Sequence, residues 1–260
     1  MVEKKIEISK EILNFLTGIY YENKEDEALR KKKVFDRAFN MAYKDMATHT
    51  VAYHKDSEEY KKYIEGNSER AKNNRDKVKS AIKDHIKSYF ISEDNYSLTS
   101  LMNLLTPKSF DEWHKKVCGE IININCSVEG LKAEDKTKAT VKIAKLLRHM
   151  DKNVHGVFTY GQAQKLVNMM LKYLYIYYQC EGWDDLEKLR SSFHVPIDSY
   201  VLKAFSGKDK YNEKAWSKFD ENDYESCRED IEKFVKGRKK YQGYDAFSWE
   251  LTEWPFGMNL

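Results

Sequence analysis

The fold class of this chain follows most directly from residues 162–179, QAQKLVNMMLKYLYIYYQ. Apolar side chains recur there three and four positions apart, which is the spacing of a helix with a buried face. A helix of this length would extend about 27 Å at ~1.5 Å per residue. Its apolar positions are Leu166, Val167, Met170, Leu171, Leu174, Tyr175 and Tyr178. The segment therefore predicts a long core helix.

Helical periodicity extends over most of the remaining sequence. It predicts further helices over 9–21, 25–54, 56–90, 98–105, 110–124, 136–150, 199–205 and 222–236, and the tail 241–260 is too aromatic to remain unpacked. Only 3 prolines and 11 glycines interrupt the 260 residues, which favours long helices over a β fold with many turns. We expect an all-α protein, a helical bundle of two subdomains, with an N-terminal helical region over 1–95 and a second helical domain over 96–260.

Composition excludes several classes of protein. The balance of 45 Lys+Arg against 42 Asp+Glu leaves a net charge of +3, too small for a histone-like polycation or an acidic tail protein. The 18 Tyr, 12 Phe and 5 Trp argue against disorder. No apolar run of about 18 residues predicts a membrane-spanning helix, and no apolar signal-peptide segment follows the first residues. Four cysteines without a C-x-x-C pair are expected to be reduced thiols, which predicts a cytoplasmic protein. We also expect a monomer.

The sequence predicts neither a cofactor nor a metal site. It has no P-loop, dinucleotide-binding, nucleophile-elbow or zincin motif, which argues against the enzymes that depend on those motifs. His49, His54 and Asp56 are the nearest approach to a metal-binding set. The two histidines are five residues apart, however, and this spacing suits one helix face poorly.

A basic hairpin is the first candidate for function. An eleven-residue connection containing Gly156 and Gly161 joins the predicted helices 136–150 and 162–179. Such a connection can direct backbone amides and a helix N-terminus at a phosphate. Residues 131–170 hold eight Lys and Arg against three Asp and Glu, a local net charge of +5. This imbalance favours a polyanionic partner, although an ordinary basic surface helix would have the same composition.

A polar stripe on the 162–179 helix is the second candidate. Lys165, Asn168 and Lys172 share a face at positions i, i+3 and i+7, between apolar neighbours. A lysine amine that is partly withdrawn from water can act as a nucleophile. The alternative is that the stripe is simply the solvated face of this helix.

The third candidate is the segment His194-Val-Pro-Ile-Asp198. Pro196 favours an extended approach, and Asp198 lies where the N-cap of the predicted helix 199–205 belongs. A carboxylate at a positive helix end stays ionised and is held rigidly. Such a group can stabilise a developing cation or orient a nucleophile, although capping alone would also explain the aspartate.

Together these features resemble the helix-hairpin-helix superfamily of DNA glycosylases. The resemblance is closest to the archaeal 8-oxoguanine DNA glycosylase branch and covers about residues 134–206, including the Pro196-Ile197-Asp198 turn. The chain departs from the family in the hairpin, where Gly156 and Gly161 are five residues apart and Lys165 follows Gly161 by four. In the family the lysine usually follows its glycine by two.

The resemblance implies an enzyme that flips a damaged or modified base out of DNA and breaks its N-glycosidic bond. Asp198 would then be the catalytic carboxylate, and Lys165 the sugar-attacking lysine or a phosphate contact, with Lys172 as the next candidate for the nucleophile. The DNA-binding residues would be Lys142, Lys145, Arg148, Gly156, Gly161 and Lys172. The base pocket would be formed by Phe158, Tyr160, Asn168, Trp216 and Trp249. Two alternatives remain, a non-catalytic helical nucleic-acid-binding protein and a helical protein-interaction module.

Overall fold

The computed structural model of the protein describes residues 27–47, 86–91, 106–122, 158–205 and 214–257, with the single positions 69, 80, 83, 84, 101, 103 and 211. All regular structure in these ranges is helical and no strand occurs, which confirms the all-α helical class. The helices are α1 (Glu27–Ala47), α2 (Pro107–Ile122), α3 (Tyr160–Glu181), α4 (Ser199–Ala204), α5 (Glu221–Gly237) and α6 (Ala246–Gly257). Single turns of 3-10 helix occur at Glu187–Ser192, at Trp216–Lys218 and at Lys239–Tyr241.

The central element is α3, which matches the predicted helix 162–179 but begins two residues earlier. Thr159 is its N-cap, and the Gln162 side chain accepts a hydrogen bond from the Thr159 amide, which completes a capping box. The helix ends at Gly182, whose φ of 72° is in the left-handed region that favours glycine. Apolar spacing alone predicts a start two residues too late, whereas the Thr159-x-x-Gln162 capping signature marks the observed start.

Nearly every side of α3 is buried. Eighteen of its 22 residues are buried, so the helix lies inside the core rather than along its surface. The helices α1 and α2 pack along it, and the turn Trp216–Lys218 packs on its first residues. The polar side chains of α3 therefore face protein, and they need partners within it.

Helix α1 confirms the predicted helix 25–54 over its described part, residues 27–47. One face of it is buried as its apolar spacing predicts, except that Leu29 is exposed. Its core face is formed by Val34, Phe35, Ala38, Phe39, Ala42, Tyr43 and Met46. Two cations in its first turns reach the end of α3, since Arg30 pairs with Glu181 and Lys31 pairs with Asp185. These contacts tie the start of α1 to the end of α3 and to the residues that follow it.

Helix α2 begins at Pro107, a residue suited to the first helical position because it has no amide hydrogen to satisfy. The sequence predicts Ser109 as the N-cap, because it is a serine just before the predicted start at residue 110. The structure shows that the cap is Thr106 instead. The Thr106 hydroxyl accepts from the Ser109 amide at 3.1 Å, and the Ser109 hydroxyl accepts from the Thr106 amide at 3.2 Å. Ser109 is therefore the third residue of the helix.

The C-terminal region is folded into α5 and α6, and the tail 241–260 is packed over its described side chains, residues 241–253. Asp220 caps α5 through a capping box with Asp223. Phe247, Trp249 and Leu251 of α6 are buried in the core.

Several predictions concern residues that lie outside the described ranges. They include the helices 9–21 and 136–150, most of the segment 56–90, and the loop residue Gly156. The helix-hairpin-helix element and the division into two subdomains therefore stay predictions. None of the helices in the described ranges combines the length and the apolar composition that crossing a membrane requires.

Candidate functional site

Lys165 and Asp198, which are 33 residues apart in the sequence, lie side by side in the structure. The Lys165 Nζ atom is 3.2 Å from Asp198 Oδ2, and the two side chains are 12% and 15% exposed. This is the juxtaposition that the predicted catalytic pair requires. Both groups are sheltered by protein yet open to solvent on one side.

Asp198 is held by the start of α4. One carboxylate oxygen, Oδ1, accepts hydrogen bonds from the amides of Tyr200 at 2.8 Å and Val201 at 3.0 Å. The predicted N-cap is thereby confirmed. Because capping engages Oδ1, the second oxygen, Oδ2, is the one directed at Lys165.

Lys165 is held by the first turns of α3 and covered by Trp216. Its Nζ atom lies 4.6 Å from the centre of the Trp216 ring, a cation–π contact. The turn Trp216–Lys218 is in turn fixed to the start of α3, since the Thr159 hydroxyl donates to the Ser217 carbonyl at 2.6 Å. Trp216 is only partly buried, so it forms a wall of the site that a ligand could reach.

The segment that leads to Asp198 is held by Gln164 of α3. The Gln164 side-chain amide donates to the Ile197 carbonyl at 2.8 Å and accepts from the Ile197 amide at 3.2 Å. A third hydrogen bond runs from Gln164 to the Gly161 carbonyl at 2.8 Å. One buried side chain thus connects the helix of Lys165 to the residue before Asp198.

Asn168, one helical turn after Gln164, is the centre of a buried polar cluster. Its Nδ2 atom lies 3.1 Å from Gln164 Oε1, 3.2 Å from the Val195 carbonyl and 3.1 Å from the Tyr224 hydroxyl. Its Oδ1 atom accepts from His114 Nε2 at 2.8 Å. Every polar atom of this side chain therefore has a protein partner.

His194 connects this cluster to the surface. Its Nε2 atom is 2.8 Å from Asp111 Oδ1, and its Nδ1 atom is 2.9 Å from the Tyr224 hydroxyl. The His194 contact holds the pKa of the Asp111 carboxyl below its ordinary value, so Asp111 accepts and Nε2 carries the proton. Nδ1 then accepts from Tyr224, whose hydroxyl in turn accepts from Asn168. Burial lowers the pKa of His194, which favours this neutral form.

The structure corrects the assignment of Lys172 to DNA phosphates. The Lys172 side chain is 0% exposed, and its Nζ atom lies 2.6 Å from Glu250 Oε1 of α6. Burial lowers the pKa of Lys172 and raises the pKa of Glu250. The ammonium cannot reach a phosphate outside the protein. The polar stripe Lys165, Asn168 and Lys172 is also not a solvated face, because only Lys165 is accessible.

Gly161 is another correction. Its amide donates to the Phe219 carbonyl at 2.9 Å, so this amide is already used within the protein and is not directed at a phosphate. The glycine serves close packing instead. The other predicted DNA-binding residues, Lys142, Lys145, Arg148 and Gly156, lie outside the described residues.

Four of the five predicted base-pocket residues lie in the core. Phe158, Tyr160, Asn168 and Trp249 are at most 6% exposed, and they contact other side chains. The Trp249 ring, for example, packs edge-on against Phe234 at 5.6 Å. A flipped base would have to displace the core to reach them. Trp216 alone of the five lies against the Lys165–Asp198 pair.

Gln164 is a residue of the site that apolar spacing does not predict, and His194 is predicted only as part of the segment before Asp198. A signal for Gln164 was present, because Gln164, Asn168 and Lys172 are spaced four apart in an otherwise apolar helix. Three polar residues on one helical line predict either a wet face or an interior cluster. The exposed aromatic Tyr200, 59% accessible and two residues after Asp198, was also overlooked.

Comparison of the chain with protein-family models, with curated proteins and with solved structures finds no match.

Proposed function

We propose that this protein is a DNA N-glycosylase-like enzyme that excises a damaged or modified base, with Asp198 and Lys165 acting on the sugar. The observation that carries the proposal is the 3.2 Å contact between these two side chains, each partly accessible. A basic group and an acid that are 33 residues apart in the sequence meet at one accessible point. A carboxylate can stabilise a cationic sugar and an amine can attack it, so the two groups together suit base excision.

Asp198 would stabilise the positive charge that develops on the sugar as the N-glycosidic bond breaks. The carboxylate is well placed for this role because the Tyr200 and Val201 amides fix its orientation before any substrate binds. A fixed negative charge stabilises a transition state more than a mobile one does, since no reorganisation is needed. The oxygen that the helix amides do not engage, Oδ2, is the one that would face the sugar once substrate replaces it as the partner of Lys165.

Lys165 would act on the same sugar, beside Asp198. If its amine attacks the sugar carbon, the base leaves and a Schiff base forms between the lysine and the opened sugar. If a water molecule attacks instead, Lys165 would contact a phosphate or orient the water. In either case substrate would take the place of Asp198 as the partner of the ammonium.

The partner would be duplex DNA. Trp216, whose ring already covers a cation, is suited to stack on an extruded base. The basic stretch 131–170, with Lys142, Lys145 and Arg148, would contact the phosphates, since neutralising phosphates supplies much of the affinity for DNA. A cytoplasmic monomer without a cofactor is part of this proposal.

The test is a panel of duplexes, each with one modified base, assayed for abasic sites. Asp198→Asn keeps a good N-cap, because asparagine caps about as well as aspartate. It removes the negative charge, and we expect base release to fall by about a hundredfold or more. Asp220→Asn is the matched control, since it makes the same change at the N-cap of α5. That variant should excise at the wild-type rate.

The alternatives give different results. DNA binding without base release from any duplex would favour a non-catalytic nucleic-acid-binding protein. If the chain neither binds DNA nor releases a base, a helical protein-interaction module becomes the better reading. Excision that survives Asp198→Asn would leave Asp198 as a helix cap without a catalytic role.

A further inference from the structure

We infer that Gln164 is a positioning residue that sets the orientation of Asp198 through the backbone of Ile197. Its catalytic consequence rests on the proposed function, whereas its structural consequence can be measured independently. Gln164 touches neither carboxylate oxygen of Asp198. It acts on the peptide that leads into that residue.

The hydrogen bonds of Gln164 leave its amide no freedom. Its two hydrogens are donated to the carbonyls of Gly161 and Ile197, both at 2.8 Å. Its oxygen accepts from the Ile197 amide at 3.2 Å and from Asn168 at 3.1 Å. If the Gln164 amide were rotated by 180°, its hydrogens would face the N–H groups of Ile197 and Asn168. Its oxygen would face the carbonyls of Gly161 and Ile197. The cluster therefore selects one orientation of Gln164, and this orientation matches both polar groups of Ile197.

The contact with Ile197 extends to Asp198 through covalent geometry. The Ile197 carbonyl and the Asp198 amide belong to one planar peptide group. Holding that carbonyl therefore fixes the plane from which the Asp198 side chain departs. The hydrogen bond that the Ile197 amide donates to Gln164 fixes the preceding peptide plane in the same way. Ile197 itself is fully buried, so the segment is held from both sides.

Gln164 also connects the two halves of the Lys165–Asp198 pair. It precedes Lys165 in α3, and its bond to the Gly161 carbonyl anchors it to the first turn of that helix. A single side chain thus spans from the helix of Lys165 to the segment of Asp198. Its loss would let the segment shift while both charged residues remained present.

Asn168 and its partners support this arrangement. Asn168 bonds both Gln164 and the Val195 carbonyl, so a second amide holds the same extended segment two residues earlier. Buried amides with all their hydrogen bonds made specify one arrangement, because any other leaves a polar atom unpaired at about 1–3 kcal/mol.

The structural test is amide hydrogen exchange in the variant Gln164→Met, which has a similar shape and no hydrogen-bonding amide. The Tyr200 and Val201 amides are protected by Asp198, and we expect them to exchange about tenfold faster relative to the Asp223 amide. The Asp223 amide is a fair reference because Asp220 caps it in the same way.

Gln162→Met is the matched control. It removes another buried glutamine of the same helix turn, whose side chain caps the Thr159 amide instead. It should leave the ratio of the Tyr200 and Asp223 exchange rates unchanged. If Gln164→Met does not fold, Gln164→Glu replaces it, since glutamate keeps the acceptor for the Ile197 amide and, when ionised, loses the donor to its carbonyl.

The catalytic test is a double-mutant cycle with Asp198→Asn. At saturating DNA, Gln164→Met should lower base release by about tenfold or more, because small misplacements of a reacting group are costly. The dissociation constant for DNA should stay within about twofold. In the Asp198→Asn variant, adding Gln164→Met should lower the rate of base release by less than about twofold. Both substitutions act through the Asp198 carboxylate, so their effects should not multiply.

The two proposals fail in different ways. If the wild-type protein excises no base, the proposed function fails. The positioning role of Gln164 is then tested by the ratio of the amide exchange rates alone. Unchanged exchange at Tyr200 and Val201 would overturn the positioning role. Rate losses that multiply in the double variant would overturn it as well.

Discussion

The carbonyl oxygen of Trp216 lies so close to Gly161 that a Cβ atom built on this glycine would be 1.9 Å from it. The Gly161 amide meanwhile donates to the Phe219 carbonyl at 2.9 Å. The first turn of α3 and the 3-10 turn Trp216–Lys218 are thus in backbone contact. This contact places the Trp216 ring over Lys165.

Gly161→Ala should therefore displace the turn that carries Trp216. A methyl group in this contact forces the backbone apart, and overpacking of this kind costs about 1–3 kcal/mol in the free energy of unfolding. Urea unfolding measures the loss. The matched control is Gly119→Ala in α2, where a Cβ would meet nothing within 4 Å. That variant should gain about 0.5–1 kcal/mol, because alanine favours a helix over glycine. Equal effects of the two substitutions would contradict the packing role of Gly161.

Lys165 should determine the type of reaction. Borohydride reduces a Schiff base to a stable amine, so an enzyme that uses Lys165 as nucleophile would be trapped on DNA. We expect a covalent adduct with the wild-type protein and none with Lys165→Ala, detected as a band of reduced mobility on a denaturing gel. An adduct that survives this change would assign the nucleophile to another accessible lysine, since Lys172 is buried against Glu250. Base release without any adduct would mean that water is the nucleophile.

The buried pair of Lys172 and Glu250 should dominate the stability of the α3–α6 contact. Lys172→Met leaves the Glu250 carboxylate buried without its cation, and breaking a buried pair costs about 3–5 kcal/mol. The double variant Lys172→Met/Glu250→Leu should recover most of that loss, since it removes both charges. Lys233→Met provides the control, because the Lys233–Glu229 pair is exposed and should contribute about 0–1 kcal/mol. Urea unfolding of the wild-type protein and the three variants measures these differences in the free energy of unfolding. A double variant no more stable than Lys172→Met would contradict the explanation.

The interior histidines should make the protein less stable in mild acid. Burial lowers the pKa of His194, and it lowers the pKa of His114 well below the ordinary 6.5. Well above pH 6.5 the two histidines are neutral in both the native protein and the unfolded chain. Their contribution to the free energy of unfolding is therefore constant there. Below pH 6.5 the unfolded chain binds protons that the native protein does not. The free energy of unfolding then falls by up to about 1.4 kcal/mol per pH unit for each histidine, until the pH reaches the native pKa.

Denaturant unfolding at pH 7.5, 6.5 and 5.5 measures this slope. His114→Gln keeps a donor for Asn168 and removes one titrating group, so the loss between pH 6.5 and 5.5 should become smaller. A slope that is the same in His114→Gln and wild type would mean that other groups produce it.

Much of the fold was predictable because helices are specified locally. The apolar spacing of residues 162–179 predicted α3, and the Pro-Ile-Asp turn predicted that Asp198 caps α4. Both features depend on residues within about four positions of each other, where side-chain spacing and backbone hydrogen bonding are set by the helix itself. At the helices capped by Thr159 and Thr106, the helix starts predicted from apolar spacing were two and three residues too late.

The candidate site was only partly predictable. Lys165, Asn168 and Lys172 form one stripe in the sequence, yet Lys165 meets Asp198 at the surface, Asn168 joins a buried cluster and Lys172 pairs with Glu250. Trp216 and Trp249 were equal candidates for a base pocket, and only Trp216 lies at the site. Helical periodicity states which residues share a face. Which neighbour covers that face depends on how segments tens of residues apart pack, and this information is absent from local spacing. The sequence by itself thus determined the helices and the cap at Asp198, whereas packing between distant segments assigned each polar side chain of α3 its partner.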